Sequence, residues 1–456
     1  MARTNGVESG QTTVLVDLGG ILLHPPLEQT IAAGESVVTL RRIMSSSPWM
    51  QYEEGNLSEE ECFTQLGDLH GFKAMDLATL IHTLRETATY DDAMLAVLKA
   101  IKQTPGVSIA LASNISAADY HALQTRWDGA FWSTFDYVLI SAKLGVRKPS
   151  LKFYRHVLAA TGSTPERTYV VDDRPENILA ALSLGMRGTT STLNLSRRLI
   201  NFAGNPIERG MAYLRQNVGE TGDSLTPPFC LNHPPRLWNF FSGKPKFTSK
   251  TYPEDLDTTS LALVAMEYDA ETANPILDEM LKYVDEDGFV QAYTDKTRPR
   301  VDAVIALNVL VAFHTYDRGH ELPQTLDWIY NILIHRAYIN GTRYYPHAEW
   351  FLYYVARLLS KSKDPALHDR LTAPLKTRLV ERIGVEGDAF CLATRLLACN
   401  LLGVENHPDR ERLKEVQMED GGWEASCMYL FPGHKKEVGN RGTTTAFAVM
   451  ALKDGL

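Results

Sequence analysis

Two groups of residues in this sequence have the types and spacing to do chemistry. The first is a series of polar side chains that each follow a short apolar run: Asp17 in VLVDLGG, Ser113 and Asn114 in LASN, Lys148 in LGVRKPS, and Asp172 with Asp173 in YVVDD. Acids at the ends of buried strands suit phosphoryl transfer. Asp17 is placed to be a carboxylate nucleophile, and Asp172 to hold Mg²⁺ with it, since Mg²⁺ favours a few hard oxygens. Ser113 and Lys148 are placed to bind the phosphoryl oxygens, with Lys148 neutralising charge as it develops. The second group is Asp255, Asp257 and Thr258 in YPEDLDTTSLALVAM. Two carboxylates at the head of so apolar a helix are explained locally by N-capping and by the helix dipole. The local pattern alone therefore assigns them no reaction.

The elements that must position these residues fall into two halves. In the first, TVLVDLGGILL, GVSIALASN, FDYVLIS and RTYVVDD read as short buried strands, with helical stretches such as SLKFYRHVLAAT and ENILAALSLG between them. Such alternation predicts parallel strands covered by helices, with ligands at the carboxyl ends of the strands. Residues 25 to about 105 interrupt it with acidic, helical sequence, including a Ser58–Glu61 capping-box spacing. This insertion reads as a helical cap. Composition shifts near residue 205, where a Pro- and Gly-rich connection follows. Beyond it the residues 255–284, 300–316, 324–337, 348–360, 366–383, 388–402 and 443–453 read helical. DLDTTSLALVAM echoes RGTTTAFAVMAL, and VDEDGFVQAY echoes MEDGGWEASC, as expected of repeated helical hairpins. The expected fold class is an α/β Rossmann-like domain with a helical cap over residues 1–205, then an all-α, α/α-barrel domain over 206–456.

Bulk properties narrow the partners. A formal net charge of -9 over 456 residues gives no global basic field for nucleic acid. Five scattered cysteines without a CxxC pair suit a reducing compartment. The polar start MARTNGVESGQTT lacks an apolar signal core, and no run reaches the length of a membrane span. A cytoplasmic location is the expectation, and nothing here predicts an oligomeric state.

The motifs also carry two resemblances. VDLGGILLH, LASN, GVRKPS and VVDDRPEN resemble the four motifs of the haloacid dehalogenase-like hydrolases, over roughly residues 12–195. That resemblance implies a Rossmann-like core with a mobile cap, a metal site at Asp17, Gly19 and Asp172, and a phosphate site at Ser113, Asn114 and Lys148. The chain departs from the pattern at Gly19, where many relatives carry an acid that protonates the leaving group. DDRPE also fits a helix-borne Mg²⁺–diphosphate motif. It follows a strand-like run here, which keeps it with the hydrolase.

QMEDGGW and DLDTT resemble terpene cyclases built from paired helices, over roughly residues 206–456. Together the two halves look like the drimane-type sesquiterpene synthases. By that resemblance Asp257 is the proton donor to a terminal alkene, Asp255 its orienting neighbour, and Thr258 stands where the commoner motif has a further Asp. Burial and a neighbouring carboxylate raise a carboxyl pKa, which such a donor needs. The implied substrate is farnesyl diphosphate, closed to a bicyclic drimane diphosphate and then dephosphorylated with Mg²⁺ towards the alcohol. Trp238, Phe241, Tyr344, Tyr345, Trp350 and Trp423 are candidates to face the cations, and HKKEVGNR (residues 434–441) is a candidate grip on the diphosphate. Two other readings stay open: a cyclase with an inert first domain, and a phosphatase fused to a helical interaction module.

Overall fold

A computed structural model describes residues 11–23, 43–71, 73–217, 237–241, 245, 252–431 and 436–453. The chain divides into two units, Met1–Gly204 and Asn205–Leu456.

In the first unit five parallel strands form one sheet. They are β1 (Thr12–Asp17), β2 (Val107–Ser113), β3 (Tyr137–Ile140), β4 (Thr168–Val171) and β5 (Arg187–Thr189), in the order β3-β2-β1-β4-β5. Every residue of β1 is buried, because helices cover both faces. Val14 and Val16 join a core with Ile109 and Leu111, whereas Leu15 joins another with Ala110, Phe153 and Tyr154. The period-2 alternation of a strand makes this split. Register then aligns the strand ends: Asp17 pairs with Ala112, and Val16 with Val171. Asp17, Ser113 and Asp172 are thereby brought to one edge.

The cap consists of α1 (Ser47–Glu53), α2 (Glu59–His70) and α3 (Ala74–Thr87), around a separate core that includes Trp49, Tyr52, Phe63, Leu66 and Ile81. The capping box at Ser58 forms, with Glu61 N–H donating to Ser58 Oγ at 3.2 Å and Ser58 N–H to Glu61 Oε2 at 2.8 Å. The next helix, α4 (Asp92–Lys102), differs from the expectation. It lies inside the insertion as read from sequence, yet Leu95, Leu98 and Ile101 enter the sheet core. Their spacing makes one apolar face, which the sheet rather than the cap covers. The remaining helices are α5 (Ala117–Arg126), α6 (Gly129–Trp132), α7 (Ser141–Leu144), α8 (Leu151–Thr161), α9 (Pro175–Ser183) and α10 (Leu195–Ala203).

Among its described residues the second unit is helical apart from one hairpin and the connecting loops. Its elements are α11 (Pro206–Gln216), α12 (Leu256–Met266), α13 (Ala270–Met280), α14 (Ala303–Thr315), α15 (Pro323–Ile334), α16 (Ala348–Lys361), α17 (Pro365–Val380), α18 (Ala389–Leu402), α19 (His407–Glu415), β6 (Tyr429–Phe431), β7 (Lys436–Val438) and α20 (Arg441–Lys453). Helices α12, α14, α16, α18 and α20 pack successively side by side, and α15, α17 and α19 pack against members of this row. One helix of the row is enclosed on every side: residues 303–314 of α14 are all buried. The stretch 255–284, read as one helix, is two. It breaks at Glu267 (φ 49°) and restarts at Asp269, which accepts from Thr272 N–H at 2.8 Å. Helix α19 was not expected, because HPDRERLKE buries only Asp409 and Leu413 and has almost no apolar period. QMEDGGW is a structural corner. Gln417 Nε2 donates to the carbonyls of Pro206 and Gly421 at 2.9 and 2.8 Å. Gly421 has φ +90°, and a Cβ there would lie 2.4 Å from the Arg209 carbonyl, so glycine is required.

Candidate active sites

The first site lies at the carboxyl edge of the sheet. Lys148 Nζ, completely enclosed, donates to Asp17 Oδ1 at 2.8 Å, Asp172 Oδ2 at 2.6 Å and the Ala112 carbonyl at 2.9 Å. Burial opposes the lysine charge, but the two carboxylates outweigh it and raise the ammonium pKa. Burial pushes Asp17 up to about 6 against the pull of Lys148, with the charge of Asp172 adding to the rise. Asn177, the last residue of VVDDRPEN, donates to both oxygens of Asp172 at 2.8 and 3.0 Å. Asn114, read from sequence as a phosphate-site residue, has its side chain engaged by the lysine loop. Its side chain accepts from Lys148 N–H at 2.8 Å and donates to Lys148 O at 2.9 Å, so it clamps the loop that delivers the lysine. Ser113 is buried at the end of β2. Gly19 lies beside Asp17, where a Cβ would be 3.9 Å from Asp17 Oδ2.

Asp173 was given no role from sequence. One oxygen each from Asp17, Asp172 and Asp173 lie within 4.8 Å of one another, an all-oxygen set that fits Mg²⁺. Gly20 (φ +75°) allows this approach, since a Cβ there would sit 2.4 Å from Asp173 Oδ2. The cap reaches the same edge. Ser141 Oγ donates to Glu53 O at 2.6 Å, and Arg147 Nε to Glu53 Oε2 at 2.9 Å.

The second site is built at the head of α12. Asp255 is the N-cap, its Oδ1 accepting from Thr258 N–H at 2.6 Å, while Oδ2 is buried without a hydrogen-bond partner. Thr258 thus serves the acid pair through its backbone. Asp257 is enclosed between two donors from other elements: Asn308 Nδ2 on α14 at 2.7 Å and the Tyr345 hydroxyl at 2.5 Å. The Tyr345 hydroxyl oxygen also lies 3.2 Å from the Tyr429 hydroxyl, whose proton it is free to accept. Burial, then the charge of Asp257, pushes Asp255 up to about 8. Burial holds Asp257 at about 6, although Tyr345 and Asn308 favour its charged form, and Asp302 adds to the rise. Asp302 itself caps α14, with Oδ1 2.9 Å from Val304 N.

Aromatic rings surround Asp257. Tyr345 meets Trp350 edge-on at 5.3 Å between centroids and Tyr429 at 5.0 Å, and Trp350 stacks on Tyr354 at 5.4 Å. Tyr344 joins a hydroxyl chain with Tyr293 and Tyr252. Phe241 stacks on Phe431, and Trp238 N–H donates to Thr259 Oγ1 at 3.0 Å. Trp423 is a correction. It is buried in a separate cluster with Leu413 and Val449, and its indole N–H donates to Leu413 O at 2.8 Å. In the basic stretch, Arg441 pairs with Asp420 at 2.9 Å, which takes it from the proposed grip, and His434 and Lys435 lie outside the described residues. Asn308 and Tyr429 were missed from sequence. A lone Asn within the apolar IALNVL was the one available signal for the first.

Comparison with known proteins places both sites in context. Residues 13–185 match the family model for haloacid dehalogenase-like hydrolases, and residues 221–316 that for the C-terminal domain of astC-like sesquiterpene cyclases. A drimenol cyclase, drtB, of Aspergillus calidoustus is 36% identical over 464 residues, covering 96% of this chain and 87% of the relative. A sesquiterpene phosphatase, astK, of Aspergillus oryzae is 33% identical over 184 residues, 40% of this chain and 90% of the relative. A HAD family enzyme from Bacteroides thetaiotaomicron, solved as a magnesium complex, is 19% identical, covers 40% of this chain and 93% of its own, and has a TM-score of 0.33. With one relative aligned across nearly the whole chain and both units matched by their own models, the chain belongs to the drimane-type sesquiterpene synthases, which join a haloacid dehalogenase-like hydrolase domain to a terpene cyclase domain.

Proposed function

We propose that this chain is a bifunctional, cytoplasmic sesquiterpene synthase acting on farnesyl diphosphate. Residues 206–456 close two rings to a drimane-type diphosphate, and residues 1–205 then remove phosphate towards the alcohol. The observation that carries the reading is Asp257, a buried carboxyl between Asn308 and Tyr345, two residues from a second buried acid and walled by aromatic rings.

Asp257 gives its proton to the terminal alkene, a very weak base that only an un-ionised acid in a dry site can protonate. Asp255 holds a proton more tightly and so removes negative charge from beside the donor. The faces of Tyr345, Trp350 and Tyr354 stabilise the ring cations, and the apolar helix row keeps water away. Loss of a proton ends the cyclisation.

In the other unit Asp17 attacks the terminal phosphorus, and Lys148 offsets charge on the transferring group. Asn114 and Asn177 hold Lys148 and Asp172 in place. Asp17, Asp172 and Asp173 would hold Mg²⁺, with the Gly19 carbonyl as a further ligand; the bound ion would supply charge neutralisation to the phosphoryl oxygens.

A single incubation with farnesyl diphosphate and Mg²⁺, analysed by mass spectrometry, tests the proposal. A bicyclic sesquiterpene alcohol is expected. Recovery of unchanged farnesyl diphosphate, or of linear farnesol alone, would refute the cyclase assignment.

A further inference from the structure

A third group of chemistry-bearing side chains belongs to neither acid site. His347 is the N-cap residue of α16, Asp388 the N-cap of α18, and Cys391 lies in the first turn of α18. The two helices pack against each other, which brings their heads together. One ligand atom from each of the three residues lies within 4.8 Å of the others. His347 Nε2 is 3.9 Å from Asp388 Oδ2. The other carboxylate oxygen, Oδ1, accepts from Cys391 N–H at 2.9 Å, and this cap leaves Oδ2 on the His347 side.

Two details separate this group from an ordinary helix cap. His347 Nε2 is buried yet has no hydrogen-bond partner. Buried polar atoms are costly to leave unpaired, and native proteins rarely keep one that nothing fills. The backbone also closes over Cys391. A Cβ on Gly387 would lie 2.7 Å from the Cys391 Cβ, so the approach needs a glycine.

We propose that His347 Nε2, Asp388 Oδ2 and Cys391 Sγ form a binding site for a zinc-class divalent ion, with a fourth position for water. Imidazole, carboxylate and thiolate together select zinc or a similar late transition metal over Mg²⁺, which takes oxygen. Ligands of a tetrahedral zinc stand roughly 3.3–3.8 Å apart, so side-chain movements of about 1 Å close the set. On binding, the Cys391 S–H bond breaks, a metal–sulfur bond forms, and the proton leaves to solvent. Burial, followed by the charges of Asp388 and Glu349, raises the thiol pKa, so the thiol stays protonated until a metal displaces its proton. The ion ties the heads of α16 and α18. It thereby holds the segment that begins two residues earlier with Tyr345, the hydroxyl donor to Asp257.

Cobalt(II) titration of the full-length chain provides the test, because only a thiolate ligand gives a strong sulfur-to-cobalt charge-transfer band in the near ultraviolet. One equivalent should produce the band, zinc should bleach it, and excess Mg²⁺ should not. Cys391→Ser and His347→Ala should each abolish the band or weaken cobalt binding by at least an order of magnitude, with circular dichroism unchanged. Asp388→Asn keeps a good N-cap and should weaken binding without loss of fold. Absence of the band in the parent, or its persistence in both Cys391→Ser and His347→Ala, would overturn the site. The oxygen set at Asp17, Asp172 and Asp173 binds cobalt without a sulfur band and does not confuse the result.

Discussion

Asp257 and Asp255 are carboxyls raised from 3.8 to about 6 and about 8, chiefly by burial. Protonation of the alkene needs the acid form, so cyclisation should be fastest at low pH and decline as pH rises through that window. The pair titrates together, so the measured values belong to both residues. Between 3.8 and these values the folded chain binds more protons than the unfolded chain, so stability also falls as pH rises across the same range. A rate that is flat from pH 5 to 9 would contradict the assignment. Asp257→Asn leaves an amide that cannot supply the proton, and ring closure should drop by at least roughly 10²–10⁴-fold. Bicyclic product formed at near parental rate would exclude Asp257 as donor. Gly19 raises a different question. Cleaving a diphosphate expels a phosphate ester, which leaves without a proton, whereas cleaving the monophosphate expels an alkoxide, which needs one. A side chain fits at position 19, since the nearest atom to its Cβ is Asp17 Oδ2 at 3.9 Å. Gly19→Asp should therefore speed monophosphate cleavage more than diphosphate cleavage. Time courses on synthetic bicyclic mono- and diphosphates decide this, and equal parental rates on the two substrates would dismiss the leaving-group argument.

Among the elements of the second unit, α18 is held by Arg395, whose side chain is entirely buried. Its guanidinium donates to Asp409 at 2.7 Å, to Val385 O at 2.7 Å and to Glu349 at 3.2 Å, so it ties α18 to α19 and α16. Glu349 is shared with Arg382 at 2.6 Å. Removing one partner of such a network leaves the others charged and buried, which costs about 3–5 kcal/mol. Arg395→Ala should lower the stability of the cyclase unit by that amount, read as a shift in its urea midpoint. Arg395→Met keeps the volume and should not recover most of the loss, because Asp409 loses its cation and Glu349 keeps Arg382 alone. Full recovery by methionine would show that packing, and not the ion network, holds these helices. The hydrogen bonds between Glu53, Ser141 and Arg147 play the corresponding part for the cap, fixing α1 to the strand edge.

For the whole molecule, the two proposed chemistries use separate residue sets in separate units. A phosphatase from Aspergillus oryzae aligns over 40% of this chain and 90% of its own length, which fits this independence. Asp17→Asn should stop dephosphorylation while leaving ring closure intact, so bicyclic phosphate esters accumulate and are released as alcohol by an added phosphatase. Chelation of Mg²⁺ should give the same block if Asp172 and Asp173 hold the ion. Undiminished alcohol release by the variant would show that Asp17 is not the nucleophile. No described helix is long and apolar enough to cross a membrane.

Local sequence was enough for the strand ends. A short continuous apolar run followed by an acid marks both the strand and its carboxyl end, so the positions of Asp17 and Asp172 could be read before their register was known. It was also enough to see that α12 begins at Asp255, because capping is a contact between near neighbours. Tertiary structure alone decided what encloses Asp257. Asn308 and Tyr345 lie 51 and 88 residues further along the chain, and no spacing rule relates them. It alone gave α4 to the sheet, since an amphipathic face says that something covers it but not what. It sent Trp423 to one cluster and Trp350 to the ring of Tyr345 for the same reason. Asp173 became a third carboxylate beside Asp17 only because Gly20 lets the loop approach. Chain-local forces act over a few residues, whereas a site is made by packing, which joins whichever faces the rest of the chain leaves to be buried.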